Sequence, residues 1–260
     1  MNGIIAELTG LLGLAETLGW AAALAFVRIG AVVALMPGLG DPAVPQRVKL
    51  ALVVAFTLVV APILAERLAD AGPAPSFTAL GGEAIAGLIL GVGMRLFLVA
   101  LQTAAAIIAQ ATTLSQLVAG VAPEPQPAIG NLFMIAGIAL ALVAGLHVRA
   151  TELVLLSYDL LPAGAYPSSA EAANWGLGLV SRTFSLAFTL AAPFVIASKI
   201  YNLALGVINR AMPMLMVSMV GAPALTLGAL AMLMVATPLL LAAWLEAFTL
   251  FLAQPFEVRP

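Results

Sequence analysis

Six long apolar segments occupy most of this 260-residue sequence, and their length restricts the folds available to it. They lie at about residues 11–36, 48–65, 79–118, 129–160, 175–210 and 219–254. An α-helix of about 20 apolar residues crosses a bilayer whose hydrocarbon core is roughly 30 Å thick. Inside that core every backbone polar group needs an internal partner, which a helix provides. The segments therefore predict an all-α integral membrane protein.

The composition supports the same interpretation. Hydrophobic residues make up 63% of the chain and charged residues 8%, whereas a water-soluble domain has about 25% charged residues. The connecting segments are short and rich in turn formers, so we expect one membrane domain spanning residues 1–260. The net charge of −2 provides no basic patch for nucleic acid, and the absence of cysteine excludes disulfides and thiolate nucleophiles.

Polar side chains interrupt several of the apolar segments. His147 and Glu152 lie in the fourth segment, and Lys199 lies in the fifth. A charge at the centre of a bilayer costs at least about 2.5 kcal/mol, so such residues normally contact protein or water. A continuous helix over 79–118 would also be about 60 Å long, which is twice the hydrocarbon thickness. We therefore expect other protein to cover much of the helical surface.

The third segment has a face of small and polar residues. At about 100° per residue along a helix, seven residues fall within about 40° of one direction. They are Gly91, Arg95, Gln102, Ala106, Ala109, Thr113 and Gln116. Helix packing is one interpretation, and it suits the closely spaced pair Gly87 and Gly91. The other is an aqueous path or a subunit interface, which stays open for Gln102, Thr113 and Gln116.

The stretch YNLALGVINRAMPMLM, which begins at Tyr201, combines amides, a basic residue, a proline and methionines. Its polar side chains are Asn202, Asn209 and Arg210. Pro213 would remove the hydrogen bond to the carbonyl of Asn209, so we expect the helix to end or kink there. Met214 and Met216 follow, and methionine packs adaptably. They either fill an irregular core or seal a variable shape around the kink.

Isolated charges and the single histidine give little indication of catalysis. Arg28 and Glu16 are lone charges in the first segment, and each is expected to have a partner that the sequence does not identify. Glu83 near the start of the third segment either caps the helix N-terminus or belongs to an ion relay. His147 comes without an HExxH, GxSxG or P-loop pattern. We therefore predict no enzymatic activity, no metal site and no cofactor.

Three stretches together resemble a known family, the FliR-type export-gate proteins of the flagellar type III secretion system. They are FVRIGAVVALMPGLGDPAVPQRVKLALVVAFTLVVAP (26–62), GLHVRATELVLLSYDLLPAG (145–164) and NLALGVINRAMPMLMVSMVGAPALTLG (202–228). The third is the most specific, because it is similar to the Asn-Leu-x-x-Gly-x-x-Asn-Arg, Pro and Gly-x-Pro pattern of the family. This chain has Met214 where family members usually carry glutamine.

The resemblance implies a non-enzymatic subunit of an export gate in the bacterial inner membrane, at the flagellar basal body. Its kinked helical hairpins would assemble with FliP, FliQ and FlhB into a helical complex, through which unfolded flagellar proteins pass. A segment corresponding to about 106–122 would plug the closed channel. The candidate plug or lining residues are Ala106, Gln110, Thr113, Gln116 and Val118. The candidate kink and seal residues are Asn202, Asn209, Arg210, Pro213, Met214 and Met216.

Two other functions remain open from the residues alone. A secondary transporter or small channel acting alone would have inverted repeats with broken helices at matching positions. Prolines occur in both halves of the chain, but they do not pair convincingly. A membrane-embedded enzyme would need at least two convergent catalytic side chains, and His147 has no carboxylate cluster beside it in the sequence.

Overall fold

The computed structural model describes residues 2–68, 75–111, 128–211 and 217–257, and it is helical in all four ranges. The helices are α1 (Asn2–Leu35), α2 (Gln46–Leu68), α3 (Phe77–Ala111), α4 (Ala128–Val143), α5 (Leu146–Leu160), α6 (Ser169–Ala211) and α7 (Val217–Ala253). No strand occurs within these ranges. Within the described ranges five helices are long and apolar enough to cross a membrane, and α4 with α5 gives a sixth span if the two are counted together. The all-α membrane prediction is confirmed.

The apolar segments correspond to these helices with one difference. The segment 129–160 forms two helices, because the chain turns at Ala144 and Gly145. Gly145 has a φ of 81°, in the left-handed region that glycine adopts without steric cost. The N–H of Ala144 donates to the carbonyl oxygen of Leu140 at 2.8 Å. His147, Arg149 and Glu152 follow this turn, but the segment 129–160 as a whole stays apolar, so its average hydropathy does not reveal the turn.

Several of the described helices, among them α3 and α6, are longer than a single membrane crossing requires. The 35 residues of α3 extend about 52 Å, and the 43 residues of α6 extend about 65 Å, at about 1.5 Å per residue. Pro193 lies inside α6, which continues through it although proline provides no N–H for the helical hydrogen bond. The hydrocarbon core of one bilayer, roughly 30 Å thick, therefore cannot surround the full length of either helix.

One compact unit comprises Met1–Arg95, Gly145–Leu177 and Leu252–Pro260. Within it α1 packs against α2. The core of this unit consists of fully or almost fully buried apolar side chains, including Leu24, Ile29, Val32, Met36, Val60, Leu64, Leu90, Met94 and Leu153. The indole N–H of Trp175 donates to the carbonyl oxygen of Pro255 at 2.8 Å, so the start of α6 contacts the chain that follows α7.

The second compact unit comprises Leu96–Ala144 and Gly178–Phe251, and an aromatic cluster forms its centre. Trp244 is fully buried, and its ring stacks on Phe248 with centroids 5.2 Å apart. Phe97 contacts Phe248 and Phe251 at centroid distances of 5.4 and 5.0 Å. The indole N–H of Trp244 donates to the carbonyl oxygen of Phe97 at 2.8 Å. A tryptophan can be buried here because its polar atom has a partner.

Large apolar side chains also cover much of the outer surface of both units. Leu58 on α2 is 72% exposed, and Met234 on α7 is 84% exposed. Apolar surface of this extent on a chain of membrane-spanning helices calls for lipid or other protein subunits as its surroundings.

Candidate functional site

The first polar site surrounds Arg28, which is fully buried on α1. Its Nε donates to Oε2 of Glu83 at 2.7 Å, and its second terminal nitrogen donates to Oε1 of the same carboxylate at 3.1 Å. This two-point pairing matches the planar guanidinium to the planar carboxylate. Glu83 is fully buried on α3. The expected partner of Arg28 is therefore found, 55 residues away in the sequence.

Residues of α5 and the following loop complete the hydrogen bonding of this ion pair. Arg28 also donates to Oγ of Ser157 at 2.8 Å and to the carbonyl oxygen of Leu161 at 2.9 Å. Glu83 accepts hydrogen bonds from the Tyr158 hydroxyl at 3.1 Å and from the backbone N–H of Gly164 at 2.7 Å. No buried side-chain nitrogen or oxygen in the described ranges lacks a partner. We call these six residues the Arg28 network.

The guanidinium also has an aromatic contact, because its carbon lies 3.7 Å from the centre of the Tyr158 ring. Such a cation–π contact adds to the stability of a desolvated cation. The network thus joins α1, α3 and α5 at one point. The interpretation of Glu83 as the cap of α3 is wrong, since Ser76 has that position and its Oγ accepts a hydrogen bond from the N–H of Ala79.

Two glycines allow α1 and α3 to approach each other beside the network. A Cβ at Gly87 would collide with the carbonyl oxygen of Arg28 and would lie 2.8 Å from Cβ of Ala31. A Cβ at Gly91 would lie 2.8 Å from Cβ of Leu35. The packing interpretation of these glycines is confirmed.

Gly87→Ala is expected to destabilise the protein by about 1–3 kcal/mol, because backbone atoms of α1 must move to admit the methyl group. Thermal unfolding of the detergent-purified protein measures the effect. Gly206→Ala is the matched control, since a Cβ at that helical position meets no atom within 4 Å. Equal melting temperatures for the two variants would contradict the close packing at Gly87.

The polar face predicted on α3 is partly buried in the structure: Gly91 and Ala109 are buried, whereas Arg95 and Gln102 are exposed. Gln110, a candidate plug residue outside this face, is exposed as well. The side-chain amide of Gln102 donates to the sulfur of Met134 at 3.1 Å. Ala106 is partly buried. The other candidate plug residues, Thr113, Gln116 and Val118, lie outside the described residues.

The candidate kink residues lie at the end of α6 and beyond it. Asn202 and Arg210 are exposed, and α6 is described as far as Ala211. The helix position of Asn209 is described but its side chain is not. Pro213, Met214 and Met216 lie outside the described residues, so the predicted kink and seal stay predictions.

The structure adds a contact between these two candidate regions, at Ser198. The hydroxyl of this buried residue on α6 donates to the carbonyl oxygen of Ala111, the last described residue of α3. The side-chain amide of Asn202 donates to Oγ of Ser198 at 3.3 Å. Ser198, Ser157 and Tyr158 were not among the residues predicted from the sequence. The sequence distinguishes these three residues only by a hydroxyl group inside an apolar segment.

No constellation typical of an enzyme is present in the described ranges. His147 and Glu152 are both exposed, and no group of three or more histidine or acidic residues has the spacing to hold a metal ion. A cavity of about 550 Å³ lies beside the start of α6, with Leu160, Trp175 and Phe256 in its lining. Its one acidic residue is Glu171, which provides no second catalytic group.

Comparisons with known proteins identify relatives over most of the chain. Residues 20–251 match the model of the family described as bacterial export proteins, family 1. The flagellar biosynthetic protein FliR of Caulobacter vibrioides is 34% identical, over 78% of this chain and 83% of that protein. The FliR proteins of Escherichia coli and Pectobacterium carotovorum are 30% and 31% identical, over 78% of this chain and 78% and 79% of theirs.

Proposed function

Since this chain belongs to family 1 of the bacterial export proteins, we propose that it is a membrane subunit of the apparatus that exports flagellar proteins. It has no catalytic role in this proposal. It forms part of the channel in the inner membrane, at the flagellar basal body, and the whole of residues 1–260 acts as one export-gate subunit. The FliR relatives, which are flagellar biosynthetic proteins by name, support this assignment.

The observation that carries the channel role is the exposure of polar side chains on apolar helices. Gln110 on α3 and Lys199 and Asn202 on α6 are exposed, although both helices are apolar enough to span a membrane. Charged and amide groups are unfavourable against lipid tails and normally contact protein or water. A water-filled path or a polar subunit contact beside these helices satisfies them.

We assign the closing of the channel to the second half of α3 and the chain that continues from it. Ala106, Gln110, Thr113, Gln116 and Val118 are the proposed plug or lining residues. Asn202, Asn209, Arg210 and Pro213 are the proposed bend, with Met214 and Met216 as an adaptable seal. The partners that cover the remaining apolar surface are subunits of the FliP and FliQ types, with FlhB attached nearby.

Site-specific crosslinking to a stalled substrate tests the channel role. The chain has no cysteine, so Gln110→Cys is a single reactive site on α3. A flagellar subunit fused to a domain that does not unfold would stall during export and bring its own cysteine into the channel. We expect a crosslink between Gln110→Cys and the stalled subunit. Met214→Cys and Met216→Cys test the proposed seal in the same way.

Leu58→Cys is the matched control, because this side chain is highly exposed on α2 and the proposal does not place it in the channel. Crosslinking at Leu58 as strong as that at Gln110 would contradict the assigned lining. Purification of the chain as a monomer that catalyses ion-coupled uptake in liposomes would instead support a transporter that acts alone.

A further inference from the structure

The hydrogen bonds at the end of α3 indicate a role for Ser198. We infer that Ser198, oriented by Asn202, is a positioning residue that holds the C-terminal end of α3 against α6. The inference about position rests on the described contacts alone. Its consequence for the channel rests on the proposed function, because the second half of α3 carries the proposed lining residues Ala106 and Gln110.

The hydrogen bond of Ser198 joins two helices. The carbonyl oxygen of Ala111 on α3 accepts it from the hydroxyl of Ser198 on α6. Ser198 is 5% exposed, so water has little access to this pair. A hydrogen bond shielded from water is electrostatically stronger than an exposed one, and it therefore fixes the position of one helix against the other.

Several helical hydroxyl groups in the described ranges behave differently from that of Ser198. They donate to a carbonyl oxygen four residues earlier in their own helix, as Thr57, Thr183, Thr189 and Thr237 do. This local hydrogen bond is available to any serine or threonine in a helix. Ser198 instead donates across to α3. Its hydroxyl is therefore directed at a contact between two helices and does not make the local hydrogen bond within α6.

Asn202 makes a second hydrogen bond to the hydroxyl group of Ser198. A serine has one O–H donor and two acceptor lone pairs. The amide of Asn202 donates to Oγ of Ser198, and this use of a lone pair is compatible with donation of the serine hydrogen to Ala111. Asn202, a candidate kink residue, thus supports the orientation of Ser198.

The space around Ser198 allows it to be substituted. A cavity of about 250 Å³ is lined by Phe194, Ser198 and Tyr201 on α6 and by Met232 on α7. Alanine removes the hydroxyl without adding bulk, and threonine retains the hydroxyl while the cavity provides room for its extra methyl group. Ser198→Ala and Ser198→Thr are therefore a matched pair.

Hydrogen exchange of the assembled export complex tests the inference. In Ser198→Ala the amides of the last turn of α3 should exchange roughly fivefold faster, the factor that corresponds to the loss of one hydrogen bond. Ser198→Thr should exchange as the unaltered protein does. Thr189→Ala on the same helix is the second control, because that hydroxyl donates to Ser185 within α6. If Ser198→Ala does not accumulate, Asn202→Ala replaces it as the test variant, and the amides of the last turn of α3 should exchange faster in that variant too.

Unchanged exchange at the end of α3 in Ser198→Ala, or in Asn202→Ala where that variant replaces it, would overturn the inference. Acceleration spread equally over α7 would also overturn it, since a general loss of stability does not need a specific contact. Small-solute leakage through cells carrying the same variants separates this inference from the proposed function. Faster exchange with more leakage supports both. Faster exchange without leakage supports the position of Ser198 and contradicts a channel-closing role for α3.

Discussion

Replacing Arg28 with methionine is expected to destabilise the protein by about 3–5 kcal/mol, because the fully buried carboxylate of Glu83 then loses its counter-ion. The variant also removes the N–H groups that donate to Oγ of Ser157 and to the carbonyl oxygen of Leu161. Native membrane proteins have limited stability to lose. We therefore expect Arg28→Met to accumulate poorly in the membrane and to abolish flagellar motility. Immunoblots of membrane fractions and swimming assays measure the two effects.

Three further variants identify the cause of such a loss. Arg28→Lys should recover little, because a lysine cannot pair with a carboxylate at two points. The double variant Arg28→Met with Glu83→Met should accumulate better than Arg28→Met alone, because it removes the unpaired charge. Arg67→Ala is the control, since Arg67 pairs with Asp159 at an exposed position, where an ion pair contributes about 0–1 kcal/mol. Normal accumulation of Arg28→Met would show that the buried pair is dispensable.

The second large effect is expected at Trp244. Trp244→Ala should cost about 3–5 kcal/mol, because it leaves a cavity among Phe97, Phe248 and the surrounding helices. Gly137 on α4 lies beside the same ring, since a Cβ there would be in ordinary van der Waals contact with the indole at 3.5 Å. Thermal unfolding of the purified protein in detergent measures the change in stability.

Trp244→Phe separates packing from hydrogen bonding at the same position. It retains an aromatic ring but removes the indole N–H that donates to the carbonyl oxygen of Phe97, a hydrogen bond that contributes about 0.5–1.5 kcal/mol. Its melting temperature should therefore lie between those of the unaltered protein and Trp244→Ala. Val235→Ala is the control, because this side chain on α7 is 74% exposed. A Trp244→Ala protein as stable as Val235→Ala would contradict the position of Trp244 at the centre of the unit.

The helices of this protein could be predicted from the sequence because length and hydropathy are local properties. An apolar segment such as 48–65 needs no knowledge of its neighbours to be identified as a helix that can cross a membrane. The turn at Gly145 was not found in this way, because only Ala144 and Gly145 separate the two helices and no hydrophilic connecting segment marks the break. The turn depends on the left-handed backbone conformation of Gly145, and the presence of a glycine in the sequence does not by itself indicate that conformation.

The partners of polar residues could not be predicted from the sequence for a different physical reason. The requirement that Arg28 has a partner follows from the cost of a buried charge, but the identity of Glu83 depends on how α1 and α3 pack. The same holds for Ser198, whose hydroxyl has a local acceptor in any helix and donates to another helix only because Ala111 of α3 lies beside it. Helix existence is a local property, whereas hydrogen-bond partners are determined by the tertiary fold.

The order in which the Arg28 network appears during synthesis has a consequence for membrane insertion. The ribosome completes α1 before α3, and Ser157 and Tyr158 emerge only after more than half of the chain has been made. Until Glu83 emerges, the nascent protein carries an arginine in an apolar helix with none of its eventual side-chain partners. We expect α1 to wait at the translocon or the membrane surface, or against another membrane protein, and to become firmly embedded only when the later helices arrive.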